Sequence, residues 1–269
     1  MKLLRRYFQL PWYWLRAFGC DGATLLLGLR GVTPYFRDYI SLCRQFKGLQ
    51  KGWPIRPSMP CLHDRYAQSG MASGHYFHQD LLVAKRVYER KPRRHVDVGS
   101  SVAGFVAHVA VFRKIEVLDI RPLVSAASNI VFCQCDLTMM PTEYEGCCDS
   151  LSCLHALEHF GLGRYSDRID AEGHIKGLES LYKLLEDGGI LYLSVPIGRQ
   201  RIEFNAHRVF AVATVLALIK GNFEVVNFSY VDDSGVLHES VELDSVMIAT
   251  NYGLNYGCGI FECKKTSTI

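Results

Sequence analysis

Short apolar runs alternate with segments of helical spacing from about residue 75 to the end of the sequence. The runs are RHVDVGS, IEVLDI, IVFCQCDL, CDSLSCLH, ILYLSVPIG and FEVVNFSYV, and helical patterns such as HYFHQDLLVAKRVYER, GFVAHVAVF, HIKGLESLYKLLEDGG and RVFAVATVLALI lie between or beside them. Strands separated by helices need crossover connections, which favour parallel pairing with helices on both faces. The sequence therefore predicts an α/β fold with a doubly wound, mainly parallel sheet. The last run, GCGIFECKK, is expected to be an antiparallel strand at the sheet edge.

The first 60 residues differ in composition from the rest, because they are rich in basic and aromatic residues. They end in KGWPIRPSMP, where glycine and prolines discourage regular structure. We therefore predict an N-terminal helical, aromatic segment over residues 1–60 and an α/β domain over residues 61–269.

The N-terminal sequence MKLLRRYFQLPWYWLRAFGC resembles neither a signal peptide nor a membrane span. Pro11 and Arg16 interrupt it, and no small-residue cleavage site follows. The apolar run at 23–29 is far shorter than the roughly 20 residues that cross a bilayer. Two roles remain open for this segment: a helical cap on the main domain, or a surface that contacts a membrane or a protein partner through residues 1–30.

Composition excludes some classes of partner. The net charge of +3 is too small to indicate nucleic-acid binding. The ten cysteines form no C-x-x-C pair, and most lie in apolar runs, which is typical of reduced thiols that pack as small apolar side chains. We therefore expect a cytoplasmic protein without a disulfide framework.

The predicted strands end in residues that suit a nucleoside ligand. Asp97 is followed by Gly99, which permits close approach of the backbone, and by a helix start at Gly104. Asp119 ends the second strand, where an acidic residue accepts hydrogen bonds from ribose hydroxyls. Asp136 ends the third strand, where a carboxylate can bind an adenine amino group. In such a sheet, ligands bind outside the carboxyl ends of the strands, so one nucleoside cofactor would explain all three positions.

This pattern resembles the class I S-adenosylmethionine-dependent methyltransferases. More closely, HVDVGSSVAGFVAHVA, VLDIRPL, LHALEHFGLGRYSD, LYLSVPIG and FNAHRVF resemble the DUF268 family, over about residues 63–210. The resemblance implies S-adenosylmethionine as the cofactor. The residues implied to bind it are Asp97, Gly99, Ser100, Gly104, Asp119, Ile120, Asp136, Leu137 and Leu154. Ser101 and Ala103 stand where the common methyltransferase turn has glycines, and Ser166 stands where the family stretch has one.

The segment His155-Ala-Leu-Glu-His159 also has the H-x-x-E-H spacing of some zinc peptidases. Such a zinc site needs both histidines on a sustained helix, whereas Gly161 and Gly163 follow directly and keep any helix short. We therefore assign no metal, and the resemblance makes this segment the fourth methyltransferase motif. The candidate catalytic residues are His155, Glu158, His159 and His207.

Three further residues are candidates for binding the methyl acceptor. Asn205 and Arg208 follow the fifth strand, where substrate would enter, and a guanidinium can bind a carboxylate or phosphate. Arg208 can equally pair with Glu158. Tyr76, in the helix before the first strand, can close over the methionine part of the cofactor or simply pack.

The function predicted from these residues is S-adenosylmethionine-dependent methyl transfer to a small molecule or a glycan precursor. No nucleic-acid motif is present. The alternative is a catalytically inactive, methyltransferase-like binding module that acts through its N-terminal segment at a membrane or protein partner.

Overall fold

The computed structural model describes residues 13–47, 53–140 and 142–266. The parts of the N-terminal predictions that fall on residues 1–12 and 48–52 lie outside the described residues. The chain divides into two compact units, Met1–Met71 and Ala72–Ile269. The predicted boundary at residue 60 lies within the first unit.

The first unit is built around helix α1, Gly22–Phe46. The Asp21 carboxylate caps its start by accepting from the Ala23 backbone N–H at 3.2 Å. A Cβ on Gly31 would lie 2.1 Å from the Leu62 carbonyl oxygen, so glycine allows the following chain to pack on the helix. Arg65 donates to Asp38 at 2.7 Å across the same contact. Within the described residues, none of the helices is long and apolar enough to cross a membrane.

Over its described residues, the second unit contains ten strands and five short or medium helices. The strands are β1 His95–Val98, β2 Ile115–Asp119, β3 Ile130–Gln134, β4 Cys148–Leu154, β5 Leu185–Ile197, β6 Arg201–Glu203, β7 His207–Val209, β8 Phe223–Val231, β9 Leu237–His238 and β10 Gly257–Lys265. The helices are α2 His75–Arg90, α3 Ala107–Ala110, α4 Gly173–Leu184, α5 Val212–Ile219 and α6 Ser245–Ala249. Single 3₁₀ turns, including Leu157–His159, and a π-helical turn at Val102–Val106 complete the connections.

Eight strands form one sheet in the order β3-β2-β1-β4-β5-β10-β8-β9. Strands β1 to β5 pair in parallel, and β10 pairs antiparallel with both β5 and β8. The predicted α/β fold with a mainly parallel sheet is confirmed. The expectation that GCGIFECKK lies at the sheet edge is wrong, although its antiparallel direction is right. This strand is almost entirely buried because a neighbour covers each of its hydrogen-bonding edges.

Three helix predictions need correction at their ends. RVFAVATVLALI is helical only from Val212, the start of α5, because His207–Val209 form strand β7. GFVAHVAVF forms the π-helical turn followed by the single turn α3, with non-helical dihedrals at Gly104. Helix α4 ends at Leu184, before the Gly188–Gly189 pair that closes the helical pattern HIKGLESLYKLLEDGG, because Leu185 already pairs with Cys148 of β4. A register shift after Cys148 accommodates the glycines within β5.

The sheet has a separate apolar core on each face. One cluster contains Leu151, Leu181, Leu193 and Phe261, and the other contains Val83, Phe105, Ile115 and Tyr192. These side chains are all buried. With both faces covered, the carboxyl ends of the parallel strands remain as the accessible edge at which polar side chains collect.

Candidate cofactor and active site

The turn after β1 is organised by the buried carboxylate of Asp97. Its Oδ1 accepts from the Ser100 and Ser152 hydroxyls, each at 2.5 Å, and its Oδ2 accepts from the Ser100 backbone N–H at 3.1 Å. The Ser100 hydroxyl in turn accepts from the Leu154 backbone N–H at 3.1 Å. Asp97 is fully buried, so in this structure it joins β1, β4 and the turn and reaches a ligand only through the backbone that it positions.

Burial raises the pKa of Asp97 from 3.8 to about 6, because desolvation outweighs its hydrogen bonds. The folded state therefore favours the protonated carboxyl, and this contribution to stability is lost as the pH rises from about 4 to about 6. Over that range the unfolding free energy of the wild-type protein should fall by about 3 kcal/mol relative to that of an Asp97→Asn variant. Urea unfolding of both proteins across the pH range would measure the difference, and a difference independent of pH would contradict it.

Two glycines permit the close packing of this turn. Gly99 has φ +68°, and a Cβ there would lie 3.0 Å from the Ala156 Cβ. A Cβ on Gly104 would lie 2.1 Å from Oδ2 of Asp80, a buried carboxylate of α2. Glycine is thus favoured at position 99 by the left-handed backbone, and at position 104 a Cβ would displace the Asp80 carboxylate.

Two adjoining clefts lie along the carboxyl ends of β1, β2, β3 and β4. The cavity volume is about 60 Å³ in the first cleft and about 450 Å³ in the second, and both are open to solvent. They share five lining residues, which are Gly99, Asp119, Arg121, His155 and Tyr165. The first cleft is also lined by Ile120, Asp136, Leu137 and His159, and the second by Tyr76, Ser100 and Leu154. Most of the predicted cofactor residues therefore converge on one continuous space, while Gly104 lines a neighbouring depression.

Asp119 is held in place by Arg121, which the sequence analysis did not select. The Arg121 guanidinium donates to both carboxylate oxygens, with Nε at 3.0 Å from Oδ1 and Nη2 at 2.5 Å from Oδ2. The guanidinium also lies over the Tyr165 ring, 4.4 Å from its centroid. Arg121 and Tyr165 therefore contact each other where the two clefts meet, since both residues line both clefts.

Asp136 has a local structural bond as well as a place in the first cleft. Its Oδ1 accepts from the backbone N–H and the hydroxyl of Thr138, at 2.9 and 2.7 Å. These bonds cap the 3₁₀ turn Leu137–Met139 and set the Leu137 side chain beside the cleft.

His155 directly follows β4 and has a left-handed backbone, with φ +51°. Two bonds from its backbone N–H hold this conformation, to the Ser194 carbonyl oxygen at 3.0 Å and the Ser194 hydroxyl at 3.1 Å. Its Nδ1 lies 2.7 Å from Oε1 of Glu158. Burial disfavours the imidazolium, but Cys258 and Glu158 raise the pKa of His155 to about 10. A strained, buried histidine paired with a buried carboxylate is typical of functional sites.

The second histidine of the motif points to a different partner. Nδ1 of His159 donates to the Ala206 carbonyl oxygen at 2.6 Å, while its Nε2 lies 3.7 Å from Oε1 of Glu158. Burial lowers the pKa of His159, so its imidazole is neutral at pH 7. His207 is half-buried, and its ring centroid lies 6.4 Å from that of His159. The two histidines of H-x-x-E-H therefore do not converge on one ion.

The loop after this motif is built on Asp167. Its Oδ2 accepts from the backbone N–H groups of Gly161 and Gly163, at 2.9 and 3.1 Å, and its Oδ1 accepts from Tyr165 N–H at 3.1 Å. Ser166 has φ +65°, a conformation that the glycine expected there would adopt without strain. These bonds place the Tyr165 ring beside Arg121.

The three predicted acceptor-binding residues have different environments. Tyr76 is half-exposed and lines the second cleft, and its ring lies tilted by 37° against that of His155 with centroids 5.0 Å apart. Asn205 lies in the exposed turn between β6 and β7 with φ +62°. Arg208 is buried and donates to the backbone carbonyl oxygens of Glu158 and Phe160, at 3.4 and 2.6 Å. In this structure Arg208 therefore supports the motif backbone and does not pair with the Glu158 carboxylate.

Sequence reasoning missed four residues of the site, which are His75, Arg121, Tyr165 and Cys258. Arg121 and Tyr165 lie inside the quoted motifs VLDIRPL and LHALEHFGLGRYSD, so their position beside Asp119 and Gly163 was the available signal. His75 and Cys258 are far from these motifs in sequence, and only the fold brings them to His155.

Of two solved structures found by comparison, the one with a TM-score of 0.50 agrees with this fold. The N-methyltransferase NodS from Bradyrhizobium japonicum WM9, in complex with S-adenosylhomocysteine, is 14% identical, with 72% of this chain and 89% of that chain covered and a TM-score of 0.48. A candidate sarcosine dimethylglycine methyltransferase from Galdieria sulphuraria is 13% identical, with coverages of 71% and 87% and a TM-score of 0.50. At this identity the likeness concerns the fold alone. No curated protein matches the sequence.

A family model decides the classification. The model described as "Caenorhabditis protein of unknown function, DUF268" matches residues 115–255, more than half of the sequence. The chain belongs to the DUF268 family. The match begins at β2 and ends beyond α6, so it includes the cleft residues from Asp119 to Tyr165. The DUF268 resemblance inferred from the motifs is thereby confirmed.

Proposed function

We propose that this DUF268 protein binds S-adenosylmethionine in the two joined clefts and transfers its methyl group to a small molecule or a glycan precursor. The observation that carries this proposal is the convergence of the Gly99 turn, the Asp119 carboxylate, and the Ile120 and Leu137 side chains on one space. A glycine turn, an acidic strand end and flanking apolar residues are what a nucleoside bound at the edge of a parallel sheet requires.

Within this space the cofactor would bind in one direction. Adenine would lie between Ile120 and Leu137 in the first cleft, and the ribose hydroxyls would donate to Asp119. The methionine part would extend into the second cleft past Gly99, towards Leu154 and Tyr76. Because Arg121 now occupies both oxygens of Asp119, cofactor binding would require the guanidinium to give up part of this contact.

Methyl transfer is an in-line displacement at a sulfonium carbon, so alignment and exclusion of water contribute most of the rate. For a hydroxyl acceptor that meets the methyl group where the two clefts join, His159 is the base that we favour. Its Nδ1–H bond to Ala206 leaves Nε2 unprotonated in the neutral ring, and the ring lines the first cleft. The Glu158 carboxylate would stabilise the imidazolium formed when Nε2 accepts the proton. His155 and Glu158 would hold the His159 ring in position, and His207 would lie next to that ring.

Calorimetric titration of the full-length protein with S-adenosylmethionine and S-adenosylhomocysteine tests the proposal. Micromolar binding of both would support it, whereas folded protein that binds neither would reject it.

An exposed apolar surface on α1 favours a second role, in which the N-terminal unit contacts a membrane surface. Leu25, Leu26, Leu29, Phe36 and Ile40 each expose about half or more of their surface. Arg30, Arg37 and Arg44 recur every seven residues along the same helix. Apolar and basic residues on one helix are typical of helices that lie in the membrane interface.

Two charged substitutions on α1 would test this role. A Leu25→Glu, Leu29→Glu variant should bind vesicles containing anionic lipid at least about tenfold more weakly than wild type, since each change replaces apolar area with a like charge. Co-sedimentation would measure the change. Val124→Glu is the matched control, because Val124 is fully exposed in the other unit. Equal sedimentation of all three proteins would argue against membrane contact through α1.

A further inference from the structure

We propose that His75, His155 and Cys258 form a binding site for a zinc-class transition-metal ion beside the proposed cofactor clefts. This site differs from the one that the H-x-x-E-H spacing suggested, since it uses only the first histidine of that motif. Metal binding by these residues does not depend on the proposed methyl transfer.

The three ligands come from separate elements of the second unit. His75 is the first residue of α2, His155 follows β4, and Cys258 lies in β10. One nitrogen of each histidine and the Cys258 sulfur all lie within 4.8 Å of one another. The two imidazole rings are nearly parallel, with an interplanar angle of 2° and centroids 5.3 Å apart. Adjustment of the half-buried His75 side chain would bring the three atoms to metal-ligand distances.

His155 shows the clearest sign of a missing ligand. Its Nε2 is buried and has no hydrogen-bond partner among the described residues. A buried polar nitrogen without a partner is costly, and the strained backbone of His155 holds it there. A metal ion at this position would satisfy the nitrogen.

Both histidines already have a partner of the kind that orients metal ligands. Nδ1 of His155 is bound by the Glu158 carboxylate at 2.7 Å, and His75 hydrogen-bonds the backbone of Tyr256. Carboxylate and backbone partners of this kind orient metal-binding histidines and fix which nitrogen is free. The buried Cys258 sulfur interacts with the His155 imidazole, and its two other contacts are long, to Oε1 of Gln79 at 3.6 Å and to the Gly259 carbonyl oxygen at 3.9 Å.

The ligand types select the class of metal. Two imidazole nitrogens and one thiolate suit Zn²⁺ or Co²⁺, whereas Mg²⁺ and Ca²⁺ require oxygen ligands. Three protein ligands leave the fourth tetrahedral position open, as in catalytic zinc sites. Because His155 lines both clefts, that position would face the proposed cofactor space. There the ion could bind the oxygen or sulfur of a methyl acceptor, a role that rests on the proposed function.

Co²⁺ titration of the chelator-treated full-length protein would test the site, because cobalt–thiolate bonds give a near-ultraviolet charge-transfer band. We expect one equivalent of Co²⁺, displaced by Zn²⁺. Cys258→Ser should abolish the band, and His75→Gln should weaken binding at least about 100-fold. Glu158→Gln, which removes the carboxylate behind His155, should weaken it roughly 10–100-fold. Cys263→Ser is the matched control, since Cys263 is buried on the same strand but packs in the opposite core cluster.

Two results would overturn the metal site. The first is wild-type protein that gives no thiolate band with Co²⁺, which would leave an imidazole–thiol contact without metal. The second is a band that survives in Cys258→Ser. Circular dichroism would verify folding of each variant, and His75→Gln changes only a half-buried side chain at a helix start. S-adenosylmethionine titration of metal-free protein separates the two proposals, because cofactor binding there would persist if only the metal site failed.

Discussion

The Asp119→Ala variant should bind S-adenosylmethionine at least about 100-fold more weakly than the wild-type protein. In the proposed complex both ribose hydroxyls donate to this carboxylate, which lies at the end of β2 and lines both clefts. Hydrogen bonds to a charged group contribute about 1.5–3 kcal/mol each, so two of them account for the loss. Calorimetry at fixed pH and salt would measure both affinities.

The control for this experiment is Asp187→Ala. Asp187 is an exposed carboxylate near the start of β5, whereas ligands bind at the carboxyl ends of the strands. Its replacement should leave the affinity within about twofold of wild type. If Asp119→Ala retained wild-type affinity while folded, Asp119 would not be the ribose ligand. The cofactor would then have to bind elsewhere or in another orientation.

The Gly161→Ala variant should lose about 3–5 kcal/mol of unfolding free energy. Gly161 has φ +77°, and a Cβ there would lie 2.0 Å from the Asp170 carbonyl oxygen. Left-handed strain contributes about 1 kcal/mol, and the overlap with backbone, which cannot rotate away, contributes the rest. Gly161 also lines the first cleft, so any folded variant should bind cofactor more weakly. Urea denaturation would measure the stability.

Gly146→Ala separates the two causes of this loss. Gly146 has a similar positive φ of +60°, but a Cβ there would have open space within 4 Å. We expect it to lose only about 1 kcal/mol, from backbone strain. Equal losses of unfolding free energy in the two variants would show that the backbone at Asp170 moves aside at little cost. The loop would then be less tightly packed than the structure indicates.

The fold could be predicted from the sequence because the patterns that indicate its strands and helices each lie within a few neighbouring residues. The strand runs ending at Asp97, Asp119 and Asp136 have β-branched cores and acidic or small ends, and alternation with helices implies parallel pairing. The same logic placed the candidate cofactor residues at one sheet edge, where the structure brings most of them together. The insertion of GCGIFECKK between β5 and β8 was not accessible, because a buried apolar strand carries no sign of which neighbours it pairs with.

The sequence by itself thus determined the parallel sheet, the glycine turn at Gly99 and the acidic strand ends, since these follow from periodicity and backbone sterics within a few residues. Only the tertiary structure decided the roles of several side chains. Asp97 and Arg208 support the backbone of the site, Arg121 pairs with Asp119, and Cys258 approaches His155. These outcomes depend on hydrogen bonds and packing between distant segments. In such contacts, the partner of a side chain depends on which elements the chain topology places side by side.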